Sequence, residues 1–361
     1  MRETVLCISR AALQHNLRRV RECMPSAYVM AMIKADAYGH GALVVADALS
    51  EADGFGVAFL QEAQALRAAG ISHPVTILEG VFTPTEMAEV VRLGLATVVH
   101  QESQLHLLKA VPAATPVDVW LKIDTGMHRL GFAPEQVLAA WRCLQALPGV
   151  RSVGLVTHFA QADEPDAQQT AQQIEVFRSL QQALQKEAGL VIPDSLANSA
   201  GILAWPTAQG RWVRPGIMLY GSSPFRDRSA AELDLRPVMT LRSRLIAIRE
   251  LKAGEPVGYG GTWVASRDTR IGVVGIGYGD GYPRHAANGT PVLLNGVRVP
   301  LAGRVSMDMI TVDLGDTPAA IGDACVLWGE GLPADEVAAM AGTISYELFC
   351  KVTPRVQRFL I

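Results

Sequence analysis

Between residues 28 and 219 the chain repeats one pattern, a short β-branched or apolar run followed by a stretch of helical periodicity. The strand candidates fall at 28–33, 55–59, 75–78, 97–99, 117–123, 153–157, 195–197 and 212–219. Helical stretches at 61–69, 84–93, 134–147 and 166–188 lie between them, and an amphipathic helix over 9–22 precedes them all. Strands spaced this way lie parallel, each joined to the next by a crossover helix. Roughly eight such units over about 220 residues fit a (β/α)8 TIM barrel. A doubly wound nucleotide fold would need a G-x-G-x-x-G turn after an early strand, and no such turn stands there.

After Ser222-Ser223-Pro224 the pattern changes to short alternating runs broken by Gly, Asp and Pro, with little helical periodicity before Ala334. The expected fold class is therefore α/β, an N-terminal (β/α)8 barrel over 1–232 and a mainly-β domain over 233–361. The opening residues are left free to pack on the second domain.

Composition narrows the partners. With 49% hydrophobic and 19% charged residues and a net charge of −3, the chain is neither disordered nor basic enough to track a phosphate backbone or an anionic membrane. Five widely spaced cysteines without a C-x-x-C pair read as free thiols, so no metal is expected. Residues 1–10 lack the basic start and apolar core of a signal peptide, and no apolar run approaches ~18 residues. A cytoplasmic enzyme acting on a small molecule is expected.

Chemistry gathers at strand ends. The run VMAMIKADAYGHG delivers Lys34 to the C-terminal end of the first barrel strand, where barrel enzymes place their catalytic groups. Desolvation there disfavours an ammonium and frees the amine for Schiff-base chemistry, although such a lysine can also send its head to solvent. In VDVWLKIDTGMHRLG, period-two alternation puts Asp118, Trp120, Lys122 and Asp124 on one face, expected to point into the barrel. Lys122 then needs an anionic partner, and Arg129 reaches back over the strand end to bind a carboxylate; a structural ion-pair cluster is the other reading. His158 ends the sixth barrel strand, as either a structural or a functional residue. Asn198-Ser199-Ala200-Gly201 opens a short helix after the seventh strand and Arg214-Pro-Gly216-Ile217 follows, the usual place for a barrel's phosphate site. In the second domain VGYGGTW and GYGDGYPR set Tyr259 and Tyr278 in glycine-rich turns.

Taken in order, the Lys34 segment, KIDTGMHRLG, THFAQAD, ANSAG, VRPGIMLYG, VGYGGTW, GYGDGYPR and GRVSMDM resemble the alanine racemase family over essentially the whole chain. The length and the GTISYELFCKV ending are most similar to its shorter, catabolic type. The resemblance implies that Lys34 binds pyridoxal 5'-phosphate covalently. It also implies that Tyr38, Ser199, Gly216 and Ile217 hold the phosphate, that Arg214 faces the pyridine nitrogen, and that His158 lies beside the ring. It makes Lys34 and Tyr259 the two opposing bases of L-/D-alanine racemisation, with Tyr259 supplied by the partner of a homodimer and helped toward phenolate through His158 and Arg214. It sets Arg129 on the substrate carboxylate, a carbamylated Lys122 beside it, Met307 in the shared pocket and Tyr278 at the entrance. It places Pro354 where other members carry a phosphate-binding tyrosine, and Ser306 where some carry cysteine. Two other readings stand beside it, a fold-related pyridoxal-phosphate amino-acid decarboxylase and a barrel-only pyridoxal-phosphate homeostasis protein.

Overall fold

The computed structural model describes residues 3–361. The first strand, β1 (Val5–Ile8), leads through Ser9 into the helix Arg10–Cys23. Ser9 caps that helix by accepting from the Ala12 N–H at 3.2 Å, and Leu13, Leu17 and Val20 form its buried face.

Eight parallel strands then close on themselves: β2 (Tyr28–Met32), β3 (Gly54–Val57), β4 (Val75–Ile77), β5 (Ala96–Val99), β6 (Val117–Lys122), β7 (Val150–Val156), β8 (Asp194–Ser195) and β9 (Trp212–Val213). Tyr28 opposite Trp212 and Val29 opposite Val213 complete the circle. The expected eight-stranded barrel is present, with helices between successive strands.

Two local expectations change. The 212–219 run is a strand only as far as Val213, because Pro215 has no N–H to give a ladder and Gly216 turns the backbone away at φ −115, ψ −98. A 3-10 turn, Ile217–Tyr220, follows. The inward face expected of β6 also divides. Trp120 packs edge-on to Trp212 at 6.3 Å, and Lys122 rises to the upper rim. Asp118 lies at the opposite, open end, accepting from Arg151 Nε at 2.9 Å, and Asp124 lies past the strand, accepting from the Gly126 and His128 N–H groups at 3.0 Å.

The remainder is mainly β: β10 (Met239–Leu251), β11 (Pro256–Val257), β12 (Trp263–Val264), β13 (Thr269–Val274), β14 (Pro291–Leu294), β15 (Val297–Pro300), β16 (Ile310–Asp313), β17 (Ala324–Trp328) and β18 (Gln357–Leu360). The large sheet runs β15-β14-β17-β10-β1-β18, with β13 pairing with β10 and β16 with β13. The chain's first strand thus belongs to this sheet, antiparallel to β10 and parallel to β18. Among the described residues no helix is long and apolar enough to cross a membrane.

Candidate active site

A cavity of about 590 Å³ opens at the C-terminal ends of the barrel strands. Lys34 after β2, Glu79 after β4, Lys122 on β6, His158 after β7, Ser199 after β8 and Arg214 after β9 all border it. A further side comes from the far end of the sequence, where the helix Ser345–Lys351 brings Tyr346 and Cys350 against the barrel rim. Lys34 is half-buried in the single chain rather than enclosed.

The four residues after Lys34 take an uncommon path. Ala35, Asp36 and Ala37 have φ/ψ near +53/+50 and Tyr38 has φ +53, so the chain makes one left-handed turn without a glycine. Each L-residue in that region costs about 1–2 kcal/mol, so the turn persists only because its surroundings fix it. Glu62 accepts from the Ala35 N–H at 2.6 Å, and Asp36 accepts from the Ala42 N–H at 2.8 Å. His40 Nδ1 lies 3.0 Å from both the Ala37 and the Tyr38 carbonyl oxygens. The turn exits through Gly39 at φ +78, where a Cβ would stand 2.1 Å from the Phe349 carbonyl oxygen, so only glycine lets the C-terminal helix come this close.

Burial pushes the His40 imidazole down to about 3. In the unfolded chain an imidazole takes up its proton below about pH 6.5. Between those two values the unfolded state binds the extra proton, so stability falls as pH falls, by about 1.4 kcal/mol per unit for this residue. Urea midpoints should therefore drop between about pH 7 and about pH 5, and drop less steeply in His40→Asn. Equal slopes in the two proteins would contradict the assignment.

The turn aims Tyr38 at an anion cradle. The Tyr38 ring stacks on Tyr220 at 4.8 Å, and its hydroxyl stands 2.6 Å from where a Cβ on residue 216 would lie, space that exists only because residue 216 is glycine. Ser199 Oγ accepts from the Gly216 N–H at 2.9 Å and the Met218 N–H at 3.3 Å. The Gly216 N–H expected for a phosphate is thus engaged by Ser199. Ile217, first in its 3-10 turn, has no acceptor within that turn. Two hydroxyls and a turn N-terminus around a missing side chain match the donor set of a phosphate group.

The rest of the cavity is mainly cationic, with Lys34, Lys122, Arg129 and Arg214 against the carboxylates of Glu79 and Asp163. Arg214 is buried, donates to the carbonyls of Ser195 and Thr157 at 2.8 and 2.6 Å, and has its pKa lowered by burial to about 10. Its Nη2 also lies 3.5 Å from His158 Nδ1. Burial, then Arg214, Lys122, Arg129 and Lys34, hold His158 well below the usual imidazole value, so it is neutral. Lys122 is lowered to about 8, first by burial and then by Arg214 and Arg129, with only Glu79 opposing. The anionic partner expected for Lys122 is absent, since among the described residues no carboxylate forms an ion pair with Lys122, Arg129, Arg214 or Lys34. A group of four unpaired cations around a cavity calls for an anionic occupant.

Three expected residues lie outside this cavity. Tyr259 (67% exposed) sits in the hairpin turn between β11 and β12, while Met307 (53%) and Tyr278 (39%) share a second loop pair. That pair is fastened by the Tyr278 N–H to the Ser306 carbonyl at 3.0 Å. None of the three side chains lines the cavity of its own chain. The reading of Pro354 is overturned: it is exposed and remote from the cavity, and the C-terminal tyrosine that borders the site is Tyr346, its ring 5.9 Å from that of Tyr38. The signal was present in ISYELFC, where Tyr346, Phe349 and Cys350 fall at i, i+3 and i+4.

Two family models, the alanine racemase N-terminal and C-terminal domains, match residues 8–224 and 238–360. The chain belongs to the alanine racemase family. The alanine racemase of Vibrio parahaemolyticus is 52% identical over 99% of both chains, and that of Shewanella woodyi 53% identical over 97% of this chain and 96% of its own. The solved biosynthetic alanine racemase of Pseudomonas aeruginosa superimposes with a TM-score of 0.95 at 48% identity, covering both chains completely. That of Acinetobacter baumannii gives 0.95 at 40% identity, again over both whole chains. Alanine racemases depend on pyridoxal 5'-phosphate. An amine at one end of the cavity and an oxyanion cradle at the other fit that cofactor's aldehyde and phosphate.

Proposed function

We propose that this chain interconverts L- and D-alanine with Lys34 and Tyr259 as opposing bases, in a homodimer where Tyr259 of each copy completes the other's cavity. The observation that carries the reading is the juxtaposition of Lys34 with the Tyr38–Ser199–Ile217 cradle at one barrel rim. Pyridoxal phosphate, when bound, withdraws electrons from the amino-acid Cα and makes its proton removable.

The protein's own groups do the rest. Tyr38, Ser199 and Ile217 hold the phosphate in the space that Gly216 leaves open, and the half-buried Tyr346 stands beside Tyr38. Arg214, which can donate but not accept, would stand opposite the pyridine nitrogen and would favour its unprotonated form. Because Arg214 donates to His158 Nδ1, the neutral imidazole carries its hydrogen on Nε2, ready to donate to a tyrosine oxygen as it ionises. Arg129 pairs with the substrate carboxylate. Lys122, held near 8, keeps a fraction of neutral amine at neutral pH; on adding carbon dioxide and losing a proton it becomes an anionic carbamate that steadies Arg129. Met307 and Tyr278 of the second copy narrow the entrance to a small side chain.

Five free cysteines suit a reducing compartment, and the cytoplasm is the location this reading assigns. D-Alanine for the cell wall and alanine breakdown are the two roles such an activity serves. A barrel-only homeostasis protein does not account for the C-terminal domain match, and neither it nor a decarboxylase fits full-length relatives named alanine racemase. Incubation with L-alanine in heavy water should show loss of optical rotation together with deuterium at Cα. Exchange without racemisation would remove Tyr259 as second base, and no exchange would overturn the enzymatic reading.

A further inference from the structure

We infer that His40 is a positioning residue for cofactor capture, holding through Nδ1–H the left-handed turn that fixes Lys34 and the Tyr38 hydroxyl relative to one another. The inference rests on the reading of the cavity as a pyridoxal-phosphate site.

His40 has only 1% of its surface exposed and touches neither the cavity nor any ion-pair partner. Its ring lies between Tyr220, at 4.5 Å, and the edge of Phe349, at 5.1 Å. Tyr220 also stacks against Tyr38 and donates its hydroxyl to the Met32 carbonyl at 2.7 Å. One packed column therefore joins His40, the phosphate-facing tyrosine and the strand that ends at Lys34.

The hydrogen bonds show what the histidine contributes. Both acceptors of Nδ1, the Ala37 and Tyr38 carbonyls, belong to the turn, so the proton must sit on Nδ1. Nε2 is buried and meets no polar partner. A position that only needed an aromatic filler would not retain a buried ring nitrogen without a partner, whereas one that needs a donor at the δ position would. Ala35, Asp36, Ala37 and Tyr38 have no glycine's tolerance for positive φ, and without that donor their carbonyls are free to return toward right-handed geometry. Such a change moves Tyr38 away from Gly216 and alters the direction in which Lys34 leaves the strand.

The test separates the δ donor from the ring. Asparagine places an N–H where Nδ1 stands, phenylalanine keeps an aromatic plate without a donor, and glutamine reaches past the carbonyls. Apoprotein of each variant is titrated with pyridoxal phosphate, following the cofactor's absorbance, and its urea midpoint is measured without cofactor. We expect His40→Phe and His40→Gln to weaken cofactor affinity by about tenfold or more, the loss expected for one or two hydrogen bonds, while His40→Asn stays within about threefold of wild type. Should His40→Phe fail to fold, the Asn and Gln pair carries the comparison. Equal cofactor affinity in all four proteins, or a loss that follows apoprotein stability alone, overturns the inference and leaves the site reading intact. Wild-type protein that takes up no pyridoxal phosphate overturns both.

Discussion

Lys34→Ala should fold normally, bind no cofactor covalently and racemise alanine roughly 10⁴-fold more slowly than wild type. Folding is spared because Lys34 is half-buried and makes no ion pair among the described residues, and removing it relieves repulsion with Lys122. The urea midpoint is expected to hold steady or rise slightly, and the purified variant to lack the visible absorbance of a lysine-bound cofactor. Turnover near the wild-type rate would exclude Lys34 from the chemistry.

Tyr259→Phe should lower racemisation about 10²–10⁴-fold, and by the same factor from either enantiomer. L- and D-alanine have equal free energies, so kcat/KM must remain equal in the two directions whatever is mutated. The asymmetry appears in hydrogen exchange: in heavy water the variant should still label the enantiomer whose Cα hydrogen faces Lys34, and leave the other unlabelled. Loss of exchange from both would contradict the division of labour between the two bases. The pair of variants also tests the sharing of sites. A hybrid dimer of one Lys34→Ala chain and one Tyr259→Phe chain contains one site with both groups intact. Mixing the two inactive proteins under conditions that exchange subunits should restore about a quarter of wild-type activity. No restoration would place Tyr259 in its own chain's site, or outside any site.

The barrel was legible because its strands are short, apolar and regularly spaced, and hydrophobic periodicity reports burial directly. Strand ends were legible less well, as at Val213, where the Pro215-Gly216 step overrides an apolar run that continues to Leu219. Local propensity gave no hint of the left-handed turn. Nothing in Lys34-Ala-Asp-Ala-Tyr38 lacks a Cβ, and the turn is held by specific hydrogen bonds, from Glu62 far along the chain and from His40 just beyond it. The charges of the cavity were found but not their balance, since period-two alternation shows which face Lys122 occupies and not who stands opposite. The spacing in ISYELFC marks Tyr346, Phe349 and Cys350 as one helix face, but not that this face docks on the barrel rim, which lies far away in sequence.

The placement of β1 has a consequence for the order of assembly. Val5 pairs with Arg242 on one side and with Gln357 on the other. β1 thus waits beside a forming barrel until β18 has been made, and the sheet closes only when these two strands, distant in sequence, meet. Such long-range pairing slows folding and leaves apolar strand edges open in the meantime. Deleting β1 or β18 would cost more than the loss of a tail. It would withdraw one partner from a seam that stitches strands from opposite parts of the sequence into one sheet.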